Sequence, residues 1–362
     1  MKINSDKYNP SVSDITGLLK RLIKEPSQSG NEDKCADIIG EFIASRGIPF
    51  QRDKNNIWAV NKEYDPRKPA LLLNSHLDTV SPGSGWTRDP YEPAVENGRL
   101  YGLGSNDAGA SLVSLLAAFL HFYADKGLNY NLIYAASAEE ENTGADGIDS
   151  VLPMLGMIDL AIVGEPTGMQ MAAAEKGLIV LRCQAEGVSG HAARDTGVNA
   201  IYKAVKDIQW YNTYQFSKIS DLLGPVKMTV TQIQAGTVHN VIPGQCDFTV
   251  DIRTTDVYSH EEIMEIIKKN TKSKIVSSSL RLHPSCISSD HRLITIAEEL
   301  NIKTFGSPAL SDQARIQAPS VKIGPGLSER SHTADEFVLI SEIETGIMIY
   351  IQLLEKLLLG VQ

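Results

Sequence analysis

Histidine and carboxylate side chains recur just beyond short apolar runs of this 362-residue chain. After "ALLLN" come His76 and Asp78, and after "NLIYAASA" come Glu139, Glu140 and Glu141. Glu165 follows "LAIVG", and His332 follows "SVKIGPG" in "LSERSHTADE". Asp107 stands in "GLGSNDAGAS", immediately before an apolar helical stretch. Each has an ordinary explanation alone. A histidine near a strand end is commonly a hydrogen-bonded structural residue, Asp107 suits a helix N-cap, and three successive glutamates read as a solvated charge run. The joint placement argues otherwise. Open parallel sheets bind ligands outside the carboxyl ends of their strands. Two His, two Glu and one Asp gathered there supply five oxygen or nitrogen donors suited to zinc. Two such ions about 3.5–4 Å apart can share a bridging carboxylate. On this reading Glu140 is a ligand, Glu139 is free to accept a proton from water, and Glu141 is solvated. Asp78 can fix the tautomer of His76; otherwise it is a turn residue.

These residues need a scaffold that brings strand ends together. "DITGLLKRLIKEP" and "NEDKCADIIGEFIASRG" have helical periodicity, and "ASLVSLLAAFLHFYAD" reads as a buried helix. Between such helices lie continuous apolar runs, the pattern of strands buried on both faces. The expected fold is therefore α/β, a mostly parallel sheet with helices on both faces. Near Lys176 the texture changes. "GQCDFTVDIRTT" alternates at Phe248, Val250 and Ile252, and two helical stretches separate the strands there. The expected organisation is a catalytic α/β domain over 1–176 and 288–362, interrupted by a small inserted α+β domain over 177–287.

Composition excludes other classes. The net charge is −10 and no long basic block occurs, so nucleic acid and membrane surfaces are poor partners. No run of about 18 apolar residues suggests a membrane span. The four cysteines form no CxxC pair, which fits reduced thiols, and the N-terminal stretch lacks the apolar core of a signal peptide; a cytoplasmic protein is expected. "GLGSND" lacks the third glycine of a dinucleotide loop, and no GxxxxGK[ST] occurs.

In order, "NSHLDTVSP", "GLGSNDAGA", "SAEEE", "GEPTG" and "SHTADE" resemble the M20 family of dinuclear zinc amidohydrolases, and most resemble its acetylornithine deacetylase and succinyl-diaminopimelate desuccinylase branch. "GVSGHAARDTGVNAI" and "HNVIPGQCDFTVDIRTT" extend the resemblance through the inserted segment. The resemblance implies a zinc-peptidase-like catalytic domain with an inserted dimerisation or lid domain. It implies two zinc ions, with cobalt or manganese as substitutes. His76 and Glu165 would hold one ion, Glu140 and His332 the other, and Asp107 would bridge. Glu139 would be general base and later acid, with Asp78 orienting His76. His191 would stabilise the oxyanion from the partner subunit of a homodimer. Asn240 and Arg253 match positions that contact the substrate's acid groups. Lys176 stands where the desuccinylase pattern has Arg, and Lys cannot form Arg's bidentate clamp. Ala108 and Gly109 also depart from a pattern that often carries Lys.

The expected activity is hydrolysis of the amide of a small N-acyl amino acid. N-acetylornithine or a close relative (N-acetyl or N-succinyl citrulline or ornithine) is the first expectation, with a place in arginine biosynthesis. Ser311, Asp312 and Arg315 are offered as side-chain readers, Asp312 either pairing an ornithine amine or capping a helix. The alternatives are succinyl-diaminopimelate desuccinylation, di- or tripeptide cleavage and, from a different class, non-catalytic metal or metabolite binding. A decayed binder would be expected to have lost a ligand or Glu139, and all are present.

Overall fold

A computed structural model describes residues 8–194 and 196–360. The chain forms two compact units: 1–173 with 287–305 and 311–362, and 174–286 with 306–310. The second starts three residues before the expected 177–287 and takes in a short later segment that the sequence reading left outside.

Six strands of the larger sheet are β1 (Gln51–Asp53), β2 (Asn56–Val60), β3 (Ala70–His76), β4 (Asn131–Ser137), β5 (Leu160–Val163) and β6 (Met171–Glu175). Four more form the principal sheet of the second unit: β7 (Gly177–Glu186), β8 (Lys227–Ala235), β9 (Gln245–Thr254) and β10 (Lys274–Leu282). The chain then adds β11 (Ser320–Lys322) to the first unit. The principal helices are α1 (Val12–Ile23), α2 (Asp33–Ala44), α3 (Ala110–Phe122), α4 (Ile148–Leu155), α5 (Ala200–Thr213), α6 (His260–Asn270), α7 (Arg292–Glu299) and α8 (Ile340–Leu358).

In the first unit the sheet order is β1-β2-β4-β3-β5-β11-β6. The centre is parallel: β3 with β4, β3 with β5, and β5 with β11. β2 joins β4 antiparallel, as β6 joins β11. Strand residues alternate between two cores, because successive side chains point to opposite faces. Leu71, Leu73, Leu132, Tyr134, Leu160 and Ile162 pack under α1, α2, α3 and α8. Leu72, Ile133, Ala161 and Val163 pack on the other face, with Ile148, Val151 and Leu155 of α4. Both faces are thus covered, as the unbroken apolar runs require. α3 is apolar almost all round and nearly every residue is buried, the mark of a helix enclosed by others. Parallel register does the positioning. His76 lies opposite Ser137, and Asn74 opposite Val163. Residues just past β3, β4 and β5 therefore emerge at one edge.

The second unit is an antiparallel sheet, β8-β9-β7-β10. Ile179, Leu181 and Cys183 of β7 and Phe248, Val250 and Ile252 of β9 bury one face beneath α5 and α6. No helix of the described residues is long and apolar enough to cross a membrane.

Phe119 of α3 is fully buried, 5.9 Å from Tyr123 and 6.0 Å from Tyr134 between ring centroids. Phe119→Ala is expected to cost about 3–5 kcal/mol, from lost transfer energy and the cavity left behind. Urea unfolding followed by circular dichroism measures this; a change below 1 kcal/mol would mean that the helix is not packed as described.

Candidate metal centre

Two groups of donors meet at the edge set by β3, β4 and β5. One is His76, Asp107 and Glu165; the other is Asp107, Glu141 and His332. His76 Nε2 lies 3.5 Å from Asp107 Oδ1 and 3.8 Å from Glu165 Oε1. His332 Nε2 lies 3.5 Å from Asp107 Oδ2 and 3.1 Å from Glu141 Oε2. Asp107 therefore turns one oxygen to each group. It does not cap α3, whose start has no side-chain cap. Ligand atoms about 2.0–2.2 Å from a tetrahedral zinc lie roughly 3.3–3.6 Å apart. The observed separations and the all-nitrogen-and-oxygen donor set fit one ion in each group.

The glutamate run departs from the expected assignment by one residue. Glu139 has φ +54°, in the left-handed region that non-glycine residues rarely enter. Its N–H donates to Glu32 Oε1 at 3.1 Å, and its own Oε2 accepts from the Asp146 N–H at 3.0 Å. The Glu139 side chain thus folds over the following turn, where a Cβ on Gly144 would stand 1.8 Å from Oε2. The next two amides are held by one carboxylate: Glu140 N–H donates to Asp78 Oδ1 at 3.1 Å and Glu141 N–H to Oδ2 at 3.0 Å. This geometry puts Glu141, read as solvated, beside His332. Glu140, read as a ligand, stands outside both donor groups, within the field of His76, Glu165 and Glu141. The Glu139 carboxylate is turned to the Asp146 amide and belongs to neither donor group.

Asp78 has a wider role than the sequence suggested. Its main-chain oxygen is 2.8 Å from His76 Nδ1 and its carboxylate 3.5 Å away, so both face the ring nitrogen opposite the one directed at Asp107. Ser29 Oγ also donates to Asp78 Oδ2 at 2.7 Å. Glu32, fully buried, takes the Gly30 N–H at 2.7 Å and the Asn55 amide at 2.7 Å besides Glu139. Nothing in the sequence pointed to Glu32, which precedes the start of α2. A glutamate beside a helix start carries no mark of where its carboxylate points.

Crowded acids shape the electrostatics. Burial, reinforced by Asp107, pushes the Glu165 carboxyl up to about 8. Burial also raises Glu140 well above the carboxylate range. Burial opposes a charge on His76, but Asp107 and Asp78 outweigh it and lift the imidazole well above its usual value. Contact with Glu141 lifts His332 to about 9. Acids that hold protons because too many negative charges share a buried space are those that a bound cation would relieve.

Asp312 is not available to a substrate. It is 5% exposed, accepts from Ser137 Oγ at 2.5 Å, and meets the Asn74 amide at 3.1 Å once that amide is turned. Burial pushes its carboxyl up to about 6. The cap of that short helical turn is Ser311, whose side chain accepts from the Gln313 N–H. Arg315 pairs with Asp149 and donates to the Thr143 carbonyl at 2.7 Å, so it braces the turn after the glutamates.

The remaining expected residues lie in the second unit. His191 and Asn240 are exposed neighbours, with His191 paired to Val241 and the Ala192 N–H donating to the Asn240 carbonyl at 3.0 Å. Arg253 is the last residue but one of β9 and pairs with Asp251 at 2.9 Å. Lys176 donates to the Pro225 carbonyl at 3.1 Å, and burial, with Lys227 and Arg253 nearby, lowers its pKa.

Comparison with known proteins agrees with this architecture. A family model described as Peptidase family M20/M25/M40 matches residues 72–356. A succinyl-diaminopimelate desuccinylase from Halorhodospira halophila is 26% identical, over 94% of this chain and 97% of its own length. An aminopeptidase PepT from Bacillus cereus superposes with a TM-score of 0.78 at 15% identity, covering 96% of this chain and 99% of its own. The YXEP protein of Bacillus subtilis, titled a dinuclear metal-binding peptidase of the M20 family, gives 0.71 at 15% identity, covering 97% and 99%.

At pH 7, Glu165 near 8 and His332 near 9 both hold protons in the metal-free protein. Ligation requires both to leave. Zinc titration of the apoprotein at pH 7 is expected to release more than one proton per chain, and affinity to weaken as pH falls. Calorimetry in buffers of different ionisation enthalpy counts the protons; a count of zero would contradict these ligands.

Proposed function

The chain belongs to peptidase family M20/M25/M40, and from that premise we propose that its two donor groups hold a pair of divalent ions, zinc by preference, with cobalt or manganese as substitutes. The protein is an amidohydrolase, and the proposed reaction is hydrolysis of the linear amide of a small N-acylated amino acid. The observation that carries this reading is Asp107, whose two oxygens face two different histidines.

His76 and Glu165 would hold one ion, Glu141 and His332 the other, and Asp107 would bridge. A pair of ions held there supplies Lewis acidity at the scissile carbonyl and a water acidified toward neutrality. Glu140 is the proposed general base. It adjoins the ligand Glu141 without belonging to either donor group, and its raised pKa suits a carboxyl that takes a proton from water and passes it to the leaving amine. Asp78 orients His76 on one side and fixes the main chain of Glu140 and Glu141 on the other. His191 is proposed as the oxyanion donor contributed by a second copy in a homodimer, with Asn240, Arg253 and Lys176 reading the acid groups of the substrate.

Two observations weigh on the acyl group. The burial of Asp312 removes the residue offered to pair an ornithine amine. The curated relative is named a succinyl-diaminopimelate desuccinylase. Succinyl-diaminopimelate therefore becomes the leading candidate, ahead of N-acetylornithine. Peptide cleavage is the second reading, favoured by the similarity of the fold to aminopeptidase PepT.

Rates on succinyl-diaminopimelate, N-acetylornithine, N-acetylcitrulline, their N-succinyl counterparts and two dipeptides separate these readings. Turnover that is lost to chelator and restored by zinc is expected on an N-acyl amino acid; turnover of the dipeptides alone would move the protein to the peptidases. Glu140→Gln should lower kcat by about 10²–10⁴ with both ions retained, while Glu139→Gln stays within about tenfold. The opposite ranking would return the base to Glu139. His191→Ala should lower kcat by about 10²–10³ with metal content unchanged; an unaltered kcat would remove it from the site.

A further inference from the structure

Glu336 lies four residues beyond His332, and no ligand assignment uses it. It is 2% exposed. A buried carboxylate is costly unless its oxygens are hydrogen-bonded, and here main-chain donors from one loop fill them. Oε1 accepts from the Asn106 N–H at 2.8 Å and the Asp107 N–H at 3.0 Å, and Oε2 accepts from the Gly104 N–H at 3.1 Å. The Glu336 carbonyl takes the Gly102 N–H at 3.0 Å. These amides have few alternatives. The backbone of 104–109 is irregular: Gly104 has φ +74°, and Asp107 has φ −116° and ψ 102°. Buried amides without acceptors are strongly disfavoured. Asn106 makes the reciprocal connection. Its Oδ1 accepts from the Leu327 N–H at 2.9 Å, and its Nδ2 donates to the Leu327 carbonyl at 3.0 Å.

We propose that Glu336, together with Asn106, is a positioning latch that locks the loop carrying Asp107 to the loop carrying His332, and so sets the affinity of the Asp107–Glu141–His332 group for its ion. The inference rests on the ligand assignment proposed above. Asp107 and His332 stand 225 residues apart in sequence (332 − 107), and the antiparallel pairing of Phe337–Leu339 with Arg99–Tyr101 joins their loops at one end but stops short of Asp107. The Glu336 carboxylate instead bonds the amide of Asp107 itself, which limits how far Asp107 can swing from His332. Glutamine is not equivalent. Its single acceptor could keep Asn106 and Asp107, but its amide NH₂ would face the Gly104 N–H donor.

The test is zinc titration of the metal-free full-length protein. The variants are Glu336→Ala, Glu336→Gln, Glu141→Gln, Glu165→Gln and the double variant Glu336→Ala/Glu141→Gln. Supporting groups around metal ligands typically change affinity by about 10–100-fold. Glu336→Ala is expected to weaken by that amount the ion lost in Glu141→Gln, and to weaken less the ion lost in Glu165→Gln. Glu336→Gln should fall between Glu336→Ala and the unaltered protein. The double variant should bind its remaining ion nearly as Glu141→Gln does, because both changes act on one group. If Glu336→Ala does not fold, the comparison is made with Glu336→Gln alone. Unchanged affinity, or equal losses at both ions, overturns the latch. Should Glu141→Gln itself bind two ions normally, the ligand assignment falls and the latch with it.

Discussion

Asp107 has to present two oxygens to two separate histidines at once, 3.5 Å from each. A carboxylate can do this only if its plane is fixed, since a small rotation that favours one histidine withdraws the other oxygen. Much of the surrounding structure can be understood as meeting that demand. His76 is fixed by the end of a buried parallel strand and by Asp78 on its far ring nitrogen. Glu165 is fixed by the strand beside it. His332 and Glu141 come from loops, and for loops precision must come from hydrogen bonds rather than from sheet register.

The carboxylates around the centre accordingly divide into two kinds. Asp107, Glu141 and Glu165 direct their oxygens at the donor groups. Asp78 and Glu336 direct theirs largely at main-chain amides of the loops that carry those ligands, and Glu32 reaches the same glutamate turn through the Glu139 N–H. An ionised carboxylate accepts several such bonds and makes them stronger than neutral acceptors do. The arrangement therefore uses buried negative charge twice, once to attract cations and once to hold irregular backbone. Glu140 belongs to neither kind, which leaves it available for proton transfer.

The two units solve different packing problems. The first buries both faces of a parallel sheet, so its strands read as unbroken apolar runs. The second covers one sheet face with α5 and α6, so its strands alternate. The change of texture near Lys176 is this difference written into the residues. A short return segment, 306–310, carries no such texture and joins the second unit only through the fold.

The sequence by itself determined the fold class, the change of unit near Lys176, and the presence of His76, Asp107, Glu165 and His332 near one another. The apolar runs of β3, β4, β5 and β11 become parallel strands, and whatever follows their carboxyl ends must share an edge. It could not determine which glutamates of the 139–141 run face the donors. Three identical neighbours differ in nothing local, and the left-handed turn at Glu139 is accompanied by bonds to Glu32 and Asp78, 107 and 62 residues away. Asp312 and Arg315 likewise read as substrate contacts until the fold paired them with Ser137 and Asp149. A polar side chain's chemistry is visible in its letter, but its direction depends on partners that only the folded chain brings within reach.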